Sequence, residues 1–379
     1  MKVLEFVRAW FDRYFQHEEA LLLVVLIAGG LFLVSWLGGV LAPALTALIF
    51  AFVLQGVLAR LLAWGLPERV AVAGTFGFFV GVMLVLLLAV FPLIYAQTKA
   101  FVAALPTMLD QLQALARQLP EQYPTLLTPG QIDEWLATAR TELLEFGQRA
   151  VTFGFGQVGL LAGIVIYLVL VPILVFFFLH DRAKLMAWFT SLLPAERPLL
   201  DQVGAEMNEQ IANYVRGKAL EIVIVGVVTY AVFTWIGLSY SALLAILVGF
   251  SVLVPFVGAA VVTLPVAMVG FVQFGLTWDF ATLMIAYAVI QALDGNVLVP
   301  LLFSEAVDLH PVAIIVAVLA FGGIWGFWGV FFAIPLASLI KAVLTAWPAV
   351  VEAQAAVPIA PADELAEARA AGSASSTAP

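Results

Sequence analysis

Apolar residues run in long blocks along this chain, and most charges fall between the blocks. Ala20 to Leu41 carries no charge. About 20 apolar helical residues cross the hydrocarbon of a bilayer, so this block is a first span. Gly38, Gly39 and Pro43 predict a tight turn, and Ala44 to Gly65 predicts the return. Val70 to Tyr95 is a third span, with Gly74, Gly77 and Gly81 along one side for packing or for a substrate path. Gly156 to Leu179 is a fourth, kinked at Pro172; Ala219 to Gly237 is a fifth; Asp279 to about Phe303 is a sixth.

Two apolar blocks read differently. Tyr240 to Phe274 begins with a 14-residue arm, ~21 Å as a helix, which is short of the ~30 Å hydrocarbon. The arm then meets Val254-Pro255-Phe256-Val257-Gly258. Residues 309–340 place ten apolar residues before Gly322, Gly323 and Gly326. Pro removes a backbone donor and Gly weakens a helix, while in lipid every backbone polar group needs a partner. Each block is therefore expected to be a re-entrant helical hairpin, with tips at Pro255 and Gly258 and at Gly322, Gly323 and Gly326. Pro300, Pro311 and Pro335 are expected helix breaks. Interrupted segments of this kind mark the binding region of secondary transporters.

The predicted fold is an all-α polytopic membrane protein with about six full spans, two re-entrant hairpins and a small helical extracytoplasmic insert. Residues 1–19 form an amphipathic surface helix or a solvated lead-in, and 20–96 are three scaffold spans. Residues 97–155, amphipathic and punctuated by proline, are the insert. Residues 156–218 hold the fourth span and a hydrophilic loop, 219–347 the transport core, and 348–379 a disordered tail by composition.

Composition supports the membrane reading: 64% of the 379 residues are hydrophobic and 11% charged, against about 25% charged in an ordinary soluble domain. With no cysteine, disulfides and thiolate sites are excluded. Counting each full span as one crossing from an inside N-terminus puts 12 of the 16 basic residues inside; Lys99, Arg117, Arg140 and Arg149 fall in the insert. This predicts both termini in the cytoplasm and the insert outside. The first hairpin then opens from outside and the second from inside.

Few side chains can carry chemistry. Asp294 is an intramembrane carboxylate, expensive to hold charged unless it faces a cavity, pairs, or carries protons. Gln291 and Asn296 lie within two turns of it. Glu221 is a second candidate for the solute or ion path, though Lys218 three residues earlier offers a local ion pair at the membrane edge. Trp325, Phe327 and Trp328 either line an apolar gate or meet lipid. His17, His180 and His310 have no metal-ligand spacing, and there is no phosphate-binding loop or nucleophile elbow. No metal, cofactor, nucleic acid or enzyme chemistry is expected; the partners are the bilayer and a small molecule or ion.

The stretches YVRGKAL (Tyr214 to Leu220), VPFVGAAVVTLP (Val254 to Pro265), LDGNVLVP after Gln291, VDLHP and GFWGVFFAIPLASLIK stand in this order. Together they resemble the autoinducer-2 exporter (AI-2E) family of bacterial permeases, over Ala20 to about Trp347. The resemblance implies a secondary transporter of the inner membrane, a homo-oligomer, pentameric, with an elevator-like movement of the hairpin region. It places the family's Pro–Gly tip on Pro255 and Gly258, its acidic–Asn–Pro pattern on Asp294, Asn296 and Pro300, and its His–Pro start on His310 and Pro311. Gly295 between acid and Asn is a departure, as is the Val-Pro-Phe-Val-Gly tip, where Ile and Tyr are commoner. Some members are linked to export of autoinducer-2, others to sodium(lithium)/proton antiport. The expected function is export of a small polar solute, autoinducer-2-like. The alternatives are a monovalent cation/proton antiporter and a non-transporting membrane scaffold.

Overall fold

The computed structural model describes residues 18–116, 158–195, 197–255, 257–303 and 309–355, with a few positions between 137 and 145. The expected N-terminal surface helix up to residue 17, most of the insert, and the tail from residue 356 lie outside the described residues. The regular elements described are all helices. Among them six are long and apolar enough to cross a membrane: Val25–Ala63, Glu68–Ala114, Gly163–His180, Leu200–Ile236, Val257–Phe274 and Trp278–Phe303. Ser241–Ser251, Pro311–Trp325 and Phe327–Lys341 are shorter and equally apolar. The chain is an all-α polytopic membrane protein.

The turn expected at Gly38, Gly39 and Pro43 does not form. Helix α1, Glu18–Ala63, runs through all three as 46 residues, ~69 Å long. A helical proline loses one hydrogen bond and crowds the carbonyl four residues back, which bends a helix without ending it. The apolar sequence on both sides offers no polar partner for unwound backbone, so the helix continues. One continuous helix replaces the two crossings expected before residue 66, which removes one crossing from the count that placed the N-terminus.

The third span is also longer than expected. Helix α2, Glu68–Val85, passes through one π-turn at Leu86–Val90 into α3, Phe91–Ala116. The insert's first 20 residues thus continue the helix. Of the expected small-residue side, Gly74 meets Leu61, whereas Gly77 and Gly81 have open space above them. Gly81 lines an apolar recess with Phe78, Val82, Val85 and Leu86, far from any charged group in sequence and character.

Helix α4 is Val158–His180, with Pro172 inside it, and α5 is Arg182–Ser191. Helix α6 is Pro198–Ile236, and its start reaches 21 residues before the expected fifth span. The first hairpin is α7, Ser241–Ser251, a turn around Pro255, and α8, Val257–Phe274. Helix α9, Trp278–Leu293, passes through a π-turn at Asp294–Leu298 into α10, Val299–Phe303. The second hairpin is α11, Pro311–Trp325, and α12, Phe327–Ala355.

Three apolar clusters organise these helices. Ala47 and Leu54 of α1, Val72 and Phe79 of α2, and Val171, Val175 and Leu179 of α4 form the first. Leu105 and Met108 of α3 join α6, α7, α8 and α9 in the second. The third gathers Tyr214 and Val215 of α6, Leu253 at the first tip, and Phe331 and Ile334 of α12, with Phe303 and Ile314 against them. Because lipid is as apolar as these side chains, the clusters hold by close packing rather than by exclusion of water. Accordingly the helices cross at glycines. A Cβ on Gly249 of α7 would stand 2.9 Å from the Ile222 carbonyl oxygen and 3.1 Å from Gly226 Cα of α6.

Hydrogen bonds secure the opening of the first hairpin. Leu243 N–H, in the first turn of α7, donates to Gln97 Oε1 of α3 at 2.9 Å. Gln273 accepts from Ser239 N–H at 2.7 Å and donates to the Gly237 carbonyl at 2.7 Å. Phe101 packs edge-on against Tyr240. The start of the insert and the mouth of the first hairpin thus share one end of the molecule, as expected.

Candidate functional site

The site grows from the YVRGKAL stretch, which is helical within α6. Tyr214, Lys218 and Glu221 stand four and three residues apart, so they share one face. Lys218 Nζ donates to Glu221 Oε2 at 2.8 Å, and the two side chains are 6% and 2% exposed. Two charges at this burial persist only because they neutralise each other. The pair expected at the membrane edge is therefore formed, but inside the helix assembly, where the third cluster and α10 cover it.

Phe303 of α10 is the cover. Its ring centroid lies 5.4 Å from Lys218 Nζ and 5.9 Å from the Tyr214 ring centroid. A cation over an aromatic face is attracted by the ring quadrupole. The ring reaches this place because residue 217 is glycine; a Cβ there would stand 2.7 Å from Phe303 Cε1.

Asp294, on the α9–α10 helix that packs against α6, lies within electrostatic reach of Lys218 and Glu221. Its Oδ1 is buried and finds no hydrogen-bond donor among the described residues. It opens the π-turn, in which Val299 N–H bonds the Asp294 carbonyl five residues back. The cause is Pro300, whose ring crowds the carbonyl at 296 and whose nitrogen cannot donate, so the preceding turn widens. The same pattern stands at Leu86–Val90 before Pro92.

The other expected site residues divide. Glu221 and Asp294 come together. Asn296 is exposed and donates to the Ala292 carbonyl of its own helix at 2.8 Å. Gln291 donates to Tyr287 Oη at 2.7 Å; Tyr287 donates to the Ala259 carbonyl, and Thr263 donates to Tyr287 Oη. Gln291 thus ties α9 to α8 of the first hairpin. Pro311 begins α11, where His310 Nδ1 accepts from Val312 N–H. The breaks expected at Pro300 and Pro335 are not breaks: the first follows the widened turn in continuous helix, and the second lies inside α12. The helix absorbs Pro335 as it absorbs Pro43, by giving up one bond.

Both tips are built on glycine. Gly258 is buried, and a Cβ there would run into the Ser251 carbonyl of α7. Gly326 joins α11 to α12 at φ 58°, ψ −131°, a conformation essentially confined to glycine. Gly322 has Val330 2.8 Å from its Cβ direction, whereas Gly323 meets nothing. Gly329, the next glycine of the same block, faces the Phe321 carbonyl. Trp325 stacks on Phe321 and donates from Nε1 to Ser35 Oγ of α1, so it is anchored, while Phe327 is exposed. Leu253 of the first tip shares the third apolar cluster with Tyr214, and Phe303 packs against that cluster.

Sequence reasoning missed Lys218, Tyr214 and Phe303 as members of the site. The signal was present: a lysine beside an acid in the run that precedes an uncharged span.

Comparison with known proteins identifies the family. The sequence pattern described as AI-2E family transporter matches residues 7–349. PerM of Escherichia coli (strain K12), designated a permease, is 45% identical over 346 residues, covering 91% of this chain and 98% of PerM. YueF of Bacillus subtilis (strain 168), designated a transport protein, is 26% identical over 305 residues, covering 79% of this chain and 82% of YueF. With the match running from before the first described helix to near the end of the last, the chain belongs to the AI-2E family of transporters.

Proposed function

We propose that this membrane transporter exports a small polar solute, autoinducer-2-like, by alternating access at the Lys218–Glu221–Asp294 cluster. One observation carries the reading. A carboxylate oxygen that is buried and has no donor among the described residues stands on the helix whose Phe303 covers a neutralised ion pair. A merely structural polar group inside a membrane protein is expected to be satisfied. A partnerless one is a place for a solute hydroxyl, a proton or an ion.

In this reading the two hairpins are re-entrant and gate the cluster from opposite faces. The body built on α6–α9 shifts against α1, α2 and α4 as an elevator-like unit. The basic residues Arg60, Arg69, Arg182, Lys184 and Arg197, at helix ends and in the connections between them, are kept on the cytoplasmic side of a bacterial inner membrane. With α1 crossing once, its first residue, Glu18, then stands on the opposite side from residues 64–67. A homo-oligomer, pentameric as the resemblance implies, is part of the proposal.

A second reading gains from the structure. The cluster holds two carboxylates and one ammonium, which is bonded to Glu221, so it has room for one more positive charge, as a monovalent cation/proton antiporter requires. Flux in proteoliposomes under an imposed pH gradient separates the two, with autoinducer-2 and sodium as separate solutes. Saturable autoinducer-2 flux, lost in Asp294→Asn, supports export. Sodium-dependent proton movement alone supports antiport. Movement of neither overturns both.

A further inference from the structure

Three groups of the cluster carry charge, and the structure divides them unequally. Lys218 has a 2.8 Å bond to Glu221, and Asp294 has none from its buried Oδ1 among the described residues. Glu221 could be reached by a solute only by displacing that ammonium. The charged and titratable groups facing the cluster are Lys218, Glu221 and Tyr214 from α6 and Asp294 from the α9–α10 helix. Apolar residues of the third cluster, Val215, Leu253, Phe331 and Ile334, gather with Tyr214, and Phe303 packs against them.

Resting on the transport reading above, we propose a division of labour in which Glu221 holds Lys218 away from Asp294, so that Asp294 stays open to take the transported positive charge or polar solute. Lys218 and Glu221 are positioning residues, and only Asp294 meets the solute. Geometry supports this order. Lys218 and Glu221 are fixed on one helix three residues apart, whereas Asp294 lies on a second helix at a widened turn. Phe303 holds the ammonium from the other side. Without Glu221 the ammonium, buried and unpaired, turns to the nearest remaining anion, Asp294, and closes the site. Without both Lys218 and Glu221, Asp294 is open again.

This makes an opposite-sign prediction for a pair of substitutions. Glu221→Gln is expected to lower flux at least tenfold. Lys218→Met together with Glu221→Gln is expected to recover most of that loss. Asp294→Asn stays inactive in either background. A structural ion pair predicts the reverse, with the double variant no better than the single one.

The test has an arm that needs no solute. A hydrophobic carbodiimide labels carboxyl groups held in apolar surroundings, and mass spectrometry of the purified protein locates the adduct. Labelling at residue 294 is expected in the wild type, at least fivefold weaker in Glu221→Gln, and restored in the double variant. Equal labelling at 294 in wild type and Glu221→Gln overturns the division of labour, as does a double variant that is labelled like the single one. If labelling follows the expected order while neither autoinducer-2 nor sodium moves, the division of labour stands and the proposed solutes fall.

Discussion

At the residue scale, the site depends on an absence as much as on charge. Gly217 leaves room for Phe303 over Lys218. Gly217→Ala forces the ring aside and is expected to cost about 1–3 kcal/mol, the usual range for overpacking. Phe303→Ala costs stability by itself, but Gly217→Ala added to it should cost little more, because the two changes share one contact. Thermal unfolding of the three variants in detergent checks this; additive losses would contradict it. Gly326→Ala is expected to destabilise by about 1–3 kcal/mol through its backbone conformation alone. Gly323→Ala meets open space and should be nearly neutral. The paired measurement separates a glycine the tip requires from one it merely tolerates.

These residues also show what was legible in advance. Asp294 and Glu221 stood out because carboxylates are rare in apolar blocks. That they meet, and that Lys218 joins them, follows from the packing of α6 against the α9–α10 helix, which lies more than 70 residues away in sequence. The burial of the Lys218–Glu221 pair was not legible, because the hydrophilic stretch before it reads as membrane edge. Asn296 and Gln291 were read from proximity along the helix. Their side chains turn elsewhere, one to its own backbone and one to Tyr287.

At the element scale, the turns that pair α7 with α8 and α11 with α12 were legible from their glycines and prolines, although α8 is long enough to cross a membrane by itself. The long helices were not. Proline signals a break in water, but α1, α4, α8 and α12 each carry proline inside continuous helix. In an apolar sequence the cost of unsatisfied backbone outweighs one lost bond. The two π-turns are the elements that no periodicity announced, although each is followed by a proline two residues on. The turn at Leu86–Val90 has no buried residue and lies between α2, packed with α1 and α4, and α3, packed with the first hairpin. A π-turn equals one extra residue in a helix. Deleting Leu88 is therefore expected to leave unfolding temperature nearly unchanged while lowering flux severalfold. An equal deletion inside α2, at Thr75, should unfold the protein. Loss of stability from both deletions would show that the widened turn is simply part of the packing.

At the scale of the whole molecule, the apolar clusters outline a frame of α1, α2 and α4 and a body of α6–α9, with α3 attached to the body and α12 bridging at the third cluster. The buried charges stand where body, bridge and first tip converge. A transporter needs that convergence, because a polar solute crosses only where lipid is excluded and two gates can take turns. Tight glycine crossings such as Gly226 with Gly249 make α6 and the first hairpin move together rather than past each other.

The central claim is that residue 294 is reached from both sides of the membrane in turn. The chain has no cysteine, so a single Asp294→Cys variant reports on that position alone. In oriented proteoliposomes, a small charged membrane-impermeant thiol reagent is applied first from one face and then, in a separate sample, from the other. Modification is expected from each face. A thiol that reacts from one face only, or from neither, would contradict it.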